Sequence, residues 1–408
     1  MRIIILSDYF DDRGGAVGVA RATAFGLKAL GYEVSVITTI QDKAKAARRN
    51  ENGVDVYQIY SDYNLFWRAY RSLYNPQTVG VVRKILGELK PDVVHAHNIH
   101  THLSYYALKL AKKASAKVFL TAHDVMIFHY GKLTEFIDRD DLSCPENFGY
   151  KITVWQQIKR AGKTYNPMRN IIIRYYLKYV DKIFAVSAAL KKALGDNEIK
   201  NTEVVHNGIE IDYWRPENSI ADNFKSRFGL GDRLAVFFGS RLGADGQELI
   251  ISAIKIVAGK IPQAVLLLAG KNNGNMKKMT DLADKSGVGK NVINCGWLSG
   301  QDLKAAFLAS NVVILPSPYF DSFPLLNLEA MACKKPVVAT CFGGSRESVV
   351  DSETGFIVNP FDTETLADRI VDLLENPEKA KIFGEAGYAR VKAEFGLNRM
   401  IDNYLIWY

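Results

Sequence analysis

The chain has only four cysteines in 408 residues (Cys144, Cys295, Cys333 and Cys341), and none stands in a CxxC pair. Without a framework spacing they read as reduced thiols rather than disulfides, which suits a cytoplasmic protein. Long hydrophobic runs are missing as well. The apolar start MRIIILSDYF meets a charge at Asp8, too early for a signal-peptide core. The longest runs, such as AVLLLA at 264–269 and NVVIL at 311–315, have strand length, far below the ~20 residues that span a bilayer. There is no internal repeat or low-complexity tract. With 48% hydrophobic and 24% charged residues, disorder, collagen and coiled coil are excluded as whole-chain descriptions.

The charge is uneven. The formal total is +8, but residues 1–200 carry 30 basic and 19 acidic side chains and residues 201–408 carry 22 and 25. The excess is densest at 151–200, with 11 basic against 3 acidic. A uniformly basic nucleic-acid binder would not divide this way, so no nucleic-acid partner is expected.

Short β-branched runs alternate with helical patterns. RIIILS (2–7), EVSVIT (33–38), DVVHAH (92–97), KVFLTAH (117–123) and KIFAVS (182–187) read as buried parallel strands, with crossover helices such as 17–31 and 102–114 between them. A second series contains LAVFFGS, AVLLLAG, NVVILPS and PVVAT. The expected fold class is therefore α/β, with two doubly wound Rossmann-like domains. We expect an N-terminal domain at 1–206 with an aromatic insertion at 124–170, a second domain at 207–385, and a helical segment at 386–408. The boundary follows from NGIEIDYWRPEN, whose Gly and Pro break the rhythm. Ligands of such sheets bind beyond the carboxyl ends of the strands, which directs attention to the loops there.

The first strand leads through Gly14 and Gly15 into a helix, where glycines and free amides suit a phosphate, although a tight turn also needs glycine. All seven histidines lie within 95–206, and His95, His97 and His100 form an HxHxxH pattern. That spacing invites a metal reading, but no carboxylate or cysteine cluster completes it, so polar lining of a ligand site is the preferred reading and no metal is expected. His97 and Asn98 belong to this lining. His123 ends the next strand and could orient a substrate hydroxyl or simply be satisfied by its neighbours. In the second half, Arg241 follows a strand and could grip a diphosphate or form a surface ion pair. Richest in signal is 315–347. There Pro324 is expected at the first helical position, and Asp321 and Glu329 stand eight residues apart, before and inside one helix.

DSFPLLNLEAMACKKPVVATCFGGSRE resembles the signature of the retaining, nucleotide-sugar-dependent glycosyltransferases of family four, which have the GT-B fold. Weaker matches run through the chain in the family's order: the Gly14-Gly15 loop, PDVVHAHN, TAHD around His123, AVS, HNGI around Asn207, and TGFIV. The resemblance implies two domains facing across a cleft, with the donor in the second, the acceptor side in the first, and the last helix returning to the first. It implies that Glu329 holds the donor ribose and Asp321 the transferred sugar. The amides from Ser322 through Phe323, Pro324, Leu325 and Leu326 would lie along the sugar and phosphates, Pro324 giving no N–H. Arg241 and Gly15 would touch the diphosphate, and His123 the sugar.

Two departures matter. The family's diphosphate lysine is missing; Gln247 or Gly246 falls near its place, and Lys271 is a substitute by position only. Asp321 and Ser322 stand where Glu and Gly are usual, which bears on the identity of the sugar.

The implied activity is transfer of a sugar from a UDP-, GDP- or ADP-sugar to a glycan or lipid-linked acceptor, with retention and without a metal or other cofactor. The missing lysine keeps open a donor-binding protein without turnover. The basic run at 159–182 (Lys159, Arg160, Lys163, Arg169, Arg174, Lys178, Lys182) reads either as solvated helix faces or as a contact for an anionic membrane, on which a cytoplasmic protein could rest peripherally.

Overall fold

The computed structural model describes all residues except 12–13, 115–116, 240–243 and 272–273, and omits the side chains of 218, 244 and 245. The chain divides into two compact units. The first comprises Met1–Phe136, Gly149–Gly208 and Leu397–Tyr408; the second comprises Ile137–Phe148 and Ile209–Gly396.

The first unit holds an eight-stranded sheet. Its strands are β1 (Arg2–Leu6), β2 (Glu33–Ile40), β3 (Arg48–Glu51), β4 (Val54–Tyr60), β5 (Val93–Ala96), β6 (Lys117–Ala122), β7 (Lys182–Ala185) and β8 (Thr202–Val204), in the order β3-β4-β2-β1-β5-β6-β7-β8. All pairs are parallel except β3–β4. The central strands are buried on both faces, as in RIIIL and VVHA, because helices cover a parallel sheet on both sides. The β3–β4 hairpin escaped the sequence analysis because RRNE has no apolar alternation and its residues are largely exposed. Its signal is the turn. Asn52 and Gly53 both take positive φ, 50° and 81°, the geometry that an Asn-Gly hairpin turn requires.

The second unit has six strands, β9 (Leu234–Gly239), β10 (Ala264–Ala269), β11 (Val292–Gly296), β12 (Val312–Leu315), β13 (Val337–Thr340) and β14 (Gly355–Val358). They form an all-parallel sheet in the order β11-β10-β9-β12-β13-β14. Its core includes Phe238, Ile250, Ile254, Leu266, Leu268 and Ile314, all essentially inaccessible.

In each sheet the strand order reverses once near the middle, at β1/β5 and at β9/β12, and such switch points are where doubly wound sheets bind ligands.

The divisions expected from sequence need two corrections. Part of the 124–170 insertion, residues 137–148, packs in the second unit, held there by Asn359, Phe342 and Arg346. The return to the first unit begins at Leu397, not 386. The preceding helix, Pro377–Glu394, stays in the second unit because its glycines permit close approach. A Cβ on Gly384 would lie 2.1 Å from the Lys334 carbonyl oxygen, and Gly387 faces Met331. The terminal helix Leu397–Leu405 then uses the same device in the first unit, where Ile401 occupies the space a Cβ on Gly26 would need.

Candidate functional site

In the first unit, the carboxyl ends of β1, β5 and β6 carry the chemistry. Asp8, just past β1, is buried, and its carboxylate accepts from the amides of Thr101 (2.7 Å), His102 (2.8 Å) and Leu103 (2.7 Å). This pins the histidine-rich loop to the end of the sheet. Burial pushes the Asp8 carboxyl up to about 6, against the pull of those three amides. Sequence reading passed over Asp8; an acidic residue at the end of a buried strand was the available signal.

The histidines divide into two groups by their partners. His95 is spent on the fold: Nε2 meets Thr121 Oγ1 at 2.7 Å, and Nδ1 meets the hydroxyl of Tyr408. His97 and His123 stack with ring centroids 5.1 Å apart, and His97 Nδ1 lies 2.8 Å from His123 Nε2. One proton serves that contact, so one ring donates and the other accepts. The outer nitrogens, His97 Nε2 and His123 Nδ1, have no partner within the protein. The pair therefore offers a ligand one donor and one acceptor. Burial holds His123 and His100 down to about 4 and His97 well below its usual value, so all three are neutral at pH 7.

These side chains border a pocket that includes His97, Asn98, His100, Tyr105, His123 and Asp124. Asn207 does not line it; this side chain is buried, with Oδ1 lacking a partner in the protein. Among the described residues no three His, Cys, Asp or Glu side chains cluster as metal ligands, and His95 has no nitrogen to spare. Gly14 and Gly15 open the helix Gly14–Ala29 directly after the β1 loop. Gly14 has φ +74°, which a side chain would oppose.

In the second unit the site is built around the segment after β12. The Asp321 carbonyl accepts from the Gly344 amide at 2.8 Å, the Asp321 amide donates to the Phe342 carbonyl at 3.3 Å, and Asp321 and Gly343 form a parallel bridge. A Cβ on Gly343 would fall 2.1 Å from the Asp321 carbonyl oxygen, and φ is +88° there. Only glycine fits. Ser317 Oγ donates to Asp321 Oδ2 at 3.0 Å, aiming the carboxylate.

The helix Leu325–Ala332 follows, with Pro324 as its N-cap rather than its first helical residue. Pro324 keeps an extended ψ of 119° and has no side-chain cap to offer, and the first turn carries no acid. The positive end of the helix, with the Leu325 and Leu326 amides, thus has no side-chain cap from Pro324 and no acid in its own first turn. Phe323 is an anchor, buried and tilted against Phe395 at 5.6 Å, and Ser322 is buried beside it. Glu329 lies on the second turn of the helix, partly exposed, close enough to Tyr213 to raise the phenol's pKa alongside burial, the larger cause.

Arg241 lies outside the described residues. Gln247 stands in the first turn of the helix Ala244–Lys260, 3% exposed, and its Nε2 has no partner in the protein. Lys271 reaches Trp297 instead, its Nζ 5.5 Å from the ring centroid.

Residues 13–213 match the family described as Glycosyltransferase Family 4, and residues 218–390 match Glycosyl transferases group 1. A GDP-mannose-dependent alpha-(1-6)-phosphatidylinositol monomannoside mannosyltransferase of Mycolicibacterium smegmatis is 29% identical over 187 residues, 44% of this chain and 49% of that protein. The match spans about half the length of that relative. Among solved structures, sucrose-phosphate synthase from Thermosynechococcus elongatus superposes with a TM-score of 0.78 at 19% identity, covering 100% of this chain and 98% of that one. HepE of Anabaena in complex with UDP gives 0.72 at 17% identity, covering 100% and 99%. These likenesses show a GT-B fold, and the two family matches together take in nearly the whole sequence. The chain belongs to the glycosyltransferases, its first half of the family-4 type and its second half of the group-1 type.

Proposed function

We propose that the protein moves a sugar from a nucleoside-diphospho-sugar to an acceptor hydroxyl, with retention at the anomeric carbon and without a metal ion. One observation carries this reading. In the second unit, a helix N-terminus at Leu325 without a side-chain cap and Glu329 on its next turn follow β12, and a Gly343–Gly344 turn beyond β13 is bridged to Asp321 just before that helix. Free amides at a helix N-terminus suit phosphate oxygens, while the two carboxylates suit hydroxyls at separate ends of an extended ligand. The UDP in HepE and the GDP-mannose in the mycobacterial relative's name support a nucleotide-sugar donor.

The departing diphosphate is stabilised by these amides and by Arg241, with Gln247 supplying a neutral donor where the family has lysine. Asp321, aimed by Ser317, holds the transferred sugar, and Glu329 the ribose. His123, which shares a proton with His97, serves the sugar. A donor phosphate oxygen takes the acceptor proton in the front-face route that the family resemblance suggests. The acceptor is a glycan or lipid-linked glycan.

The protein rests peripherally on an anionic membrane in this reading. Lys159, Lys163 and Lys178 are exposed beside Trp155 (79% exposed), Met168 and Ile171. The basic run is smaller than its sequence suggests. Arg169 is fully buried with its guanidinium on the Met126 carbonyl, and Arg160 is paired with Glu135 at 2.8 Å.

The test is a screen of UDP-, GDP- and ADP-sugars for binding, nucleoside diphosphate release and transfer. Donor-dependent release that falls with Arg241→Ala is the expected result. Binding with no release from any donor would leave a donor-binding protein without turnover.

A further inference from the structure

Cys144 and Cys341 are distant in sequence but belong to the same unit. Backbone and ring contacts bring them together. Arg346 Nη2 donates to the Cys144 carbonyl at 2.8 Å, and Asn359 Nδ2 donates to the carbonyls of Asp141 (2.9 Å) and Ser143 (2.7 Å). Phe148 packs edge-on against Phe342, the residue after Cys341, with centroids 5.7 Å apart. The two cysteine side chains are near enough to perturb each other's acidity. Cys341 is 1% exposed, while Cys144 is partly open to solvent.

The other two cysteines are placed differently. Cys333 donates to the Trp214 carbonyl and Cys295 to the Ile293 carbonyl, and burial pushes both thiols up to about 12. Only the Cys144–Cys341 pair combines a solvent-reachable sulfur with a second sulfur beside it.

We propose that Cys144 and Cys341 are a dithiol modification site, which peroxides convert reversibly to a disulfide that locks residues 137–148 onto the turn carrying Gly343 and Gly344. Cys144 is the attacking group. It is the partly exposed member of the pair, while Cys341 is buried; the Cys341 side chain, then the Arg346 guanidinium and the Asn359 amide, hold its thiol below the usual value despite burial. The Cys144 thiolate attacks one oxygen of hydrogen peroxide and the O–O bond breaks. The departing hydroxide takes up a proton, leaving Cys144 as a sulfenic acid. The Cys341 sulfur then attacks the Cys144 sulfur and loses its proton. The S–O bond breaks, and the leaving hydroxide takes that proton as water. Two thiols are oxidised and one peroxide is reduced to two waters.

The consequence follows from position. Cys341 hydrogen-bonds from its amide to Val358 at the end of β14, and two residues later Gly343 bridges Asp321. A disulfide at this point ties the 137–148 excursion to the segment assigned to the donor.

The experiment titrates the reduced full-length chain with hydrogen peroxide, counts thiols after unfolding, and maps linked peptides by mass spectrometry without reductant. The count is expected to fall from four to two, with a Cys144–Cys341 peptide, and dithiothreitol restores four. Hydrogen exchange across 137–148 slows in the oxidised protein, and neither Cys144→Ser nor Cys341→Ser forms the link. A count that stays at four, a different pair, or Cys144 passing to sulfinic acid without a link overturns the proposal; unchanged exchange in the linked protein overturns the lock. None of these readouts depends on sugar transfer, so the result stands apart from that of the donor screen.

Discussion

The two candidate sites sit at equivalent places in similar sheets, yet they are made of different material. In the first unit the site is side chains: His97, His123, His100 and the Asp8 carboxylate that positions their loop. In the second it is largely main chain: the Leu325 and Leu326 amides, the Gly343–Gly344 turn and the Asp321 backbone, with Asp321 and Glu329 as the charged exceptions. A site of buried imidazoles responds to pH and tolerates backbone change. A site of amides ignores pH near neutrality but fails when the backbone path is blocked. This contrast is open to direct attack.

The largest effect belongs to Gly343→Ala. The added Cβ meets the Asp321 carbonyl at 2.1 Å in a left-handed conformation. A loss of roughly 3–5 kcal/mol in urea unfolding is expected, with donor binding lost in what remains folded. A wild-type-like melt and affinity would show that the Asp321 bridge is dispensable.

Next comes His123→Ala, for which turnover falls about 100-fold while nucleotide affinity holds, because the side chain serves the sugar rather than the diphosphate. Equal losses in both quantities would place His123 in donor binding and blur the contrast between the units.

The pH dependence follows from the same imidazoles. Their folded pKa values lie below the unfolded value near 6.5, so the unfolded chain takes up protons first on acidification. The stability they contribute is fully present above pH 6.5 and is lost as pH falls toward 4. Each pH unit in that window is worth about 1.4 kcal/mol per imidazole. Urea melts monitored with probes in each unit should show the first unit weakening and the second holding.

Glu329→Gln keeps the shape and removes one charge from the proposed ribose contact. A donor affinity loss of about tenfold, roughly 1.4 kcal/mol, is expected by titration with nucleoside diphosphate. The smallest effect is at the surface: Lys159, Lys163 and Lys178 changed together to Gln should weaken binding to anionic vesicles by up to about 1 kcal/mol per residue at low salt. Transfer to a soluble acceptor should be unchanged.

Much of this architecture was legible in the sequence, for a physical reason. Strands buried on both faces have to be continuous apolar runs, so RIIIL, LAVFFG and AVLLLA mark themselves, and the DSFP…E spacing marks a helix start with a carboxylate one turn inside. Elements without a buried face were invisible by the same logic, as the exposed RRNE strand illustrates. The charge count around 159–182 misled in one respect. Arg169 contributes to it but lies wholly inside the unit, held by the Met126 carbonyl and the Tyr130 ring, and no local pattern announces that a cation will be buried.

What the sequence determined by itself was therefore local and periodic: the fold class, most strands, the helix that begins after Pro324, and the residue types that carry charge. Which side chains meet was decided by the tertiary structure. His95 lies on β5 and His97 just past its end, yet only the packing of Thr121 and Tyr408 removes the first from chemistry and leaves the second to pair with His123. Cys144 and Cys341 met in the same way, because contacts between residues far apart in the chain depend on loop closure and packing, which no short stretch of sequence encodes.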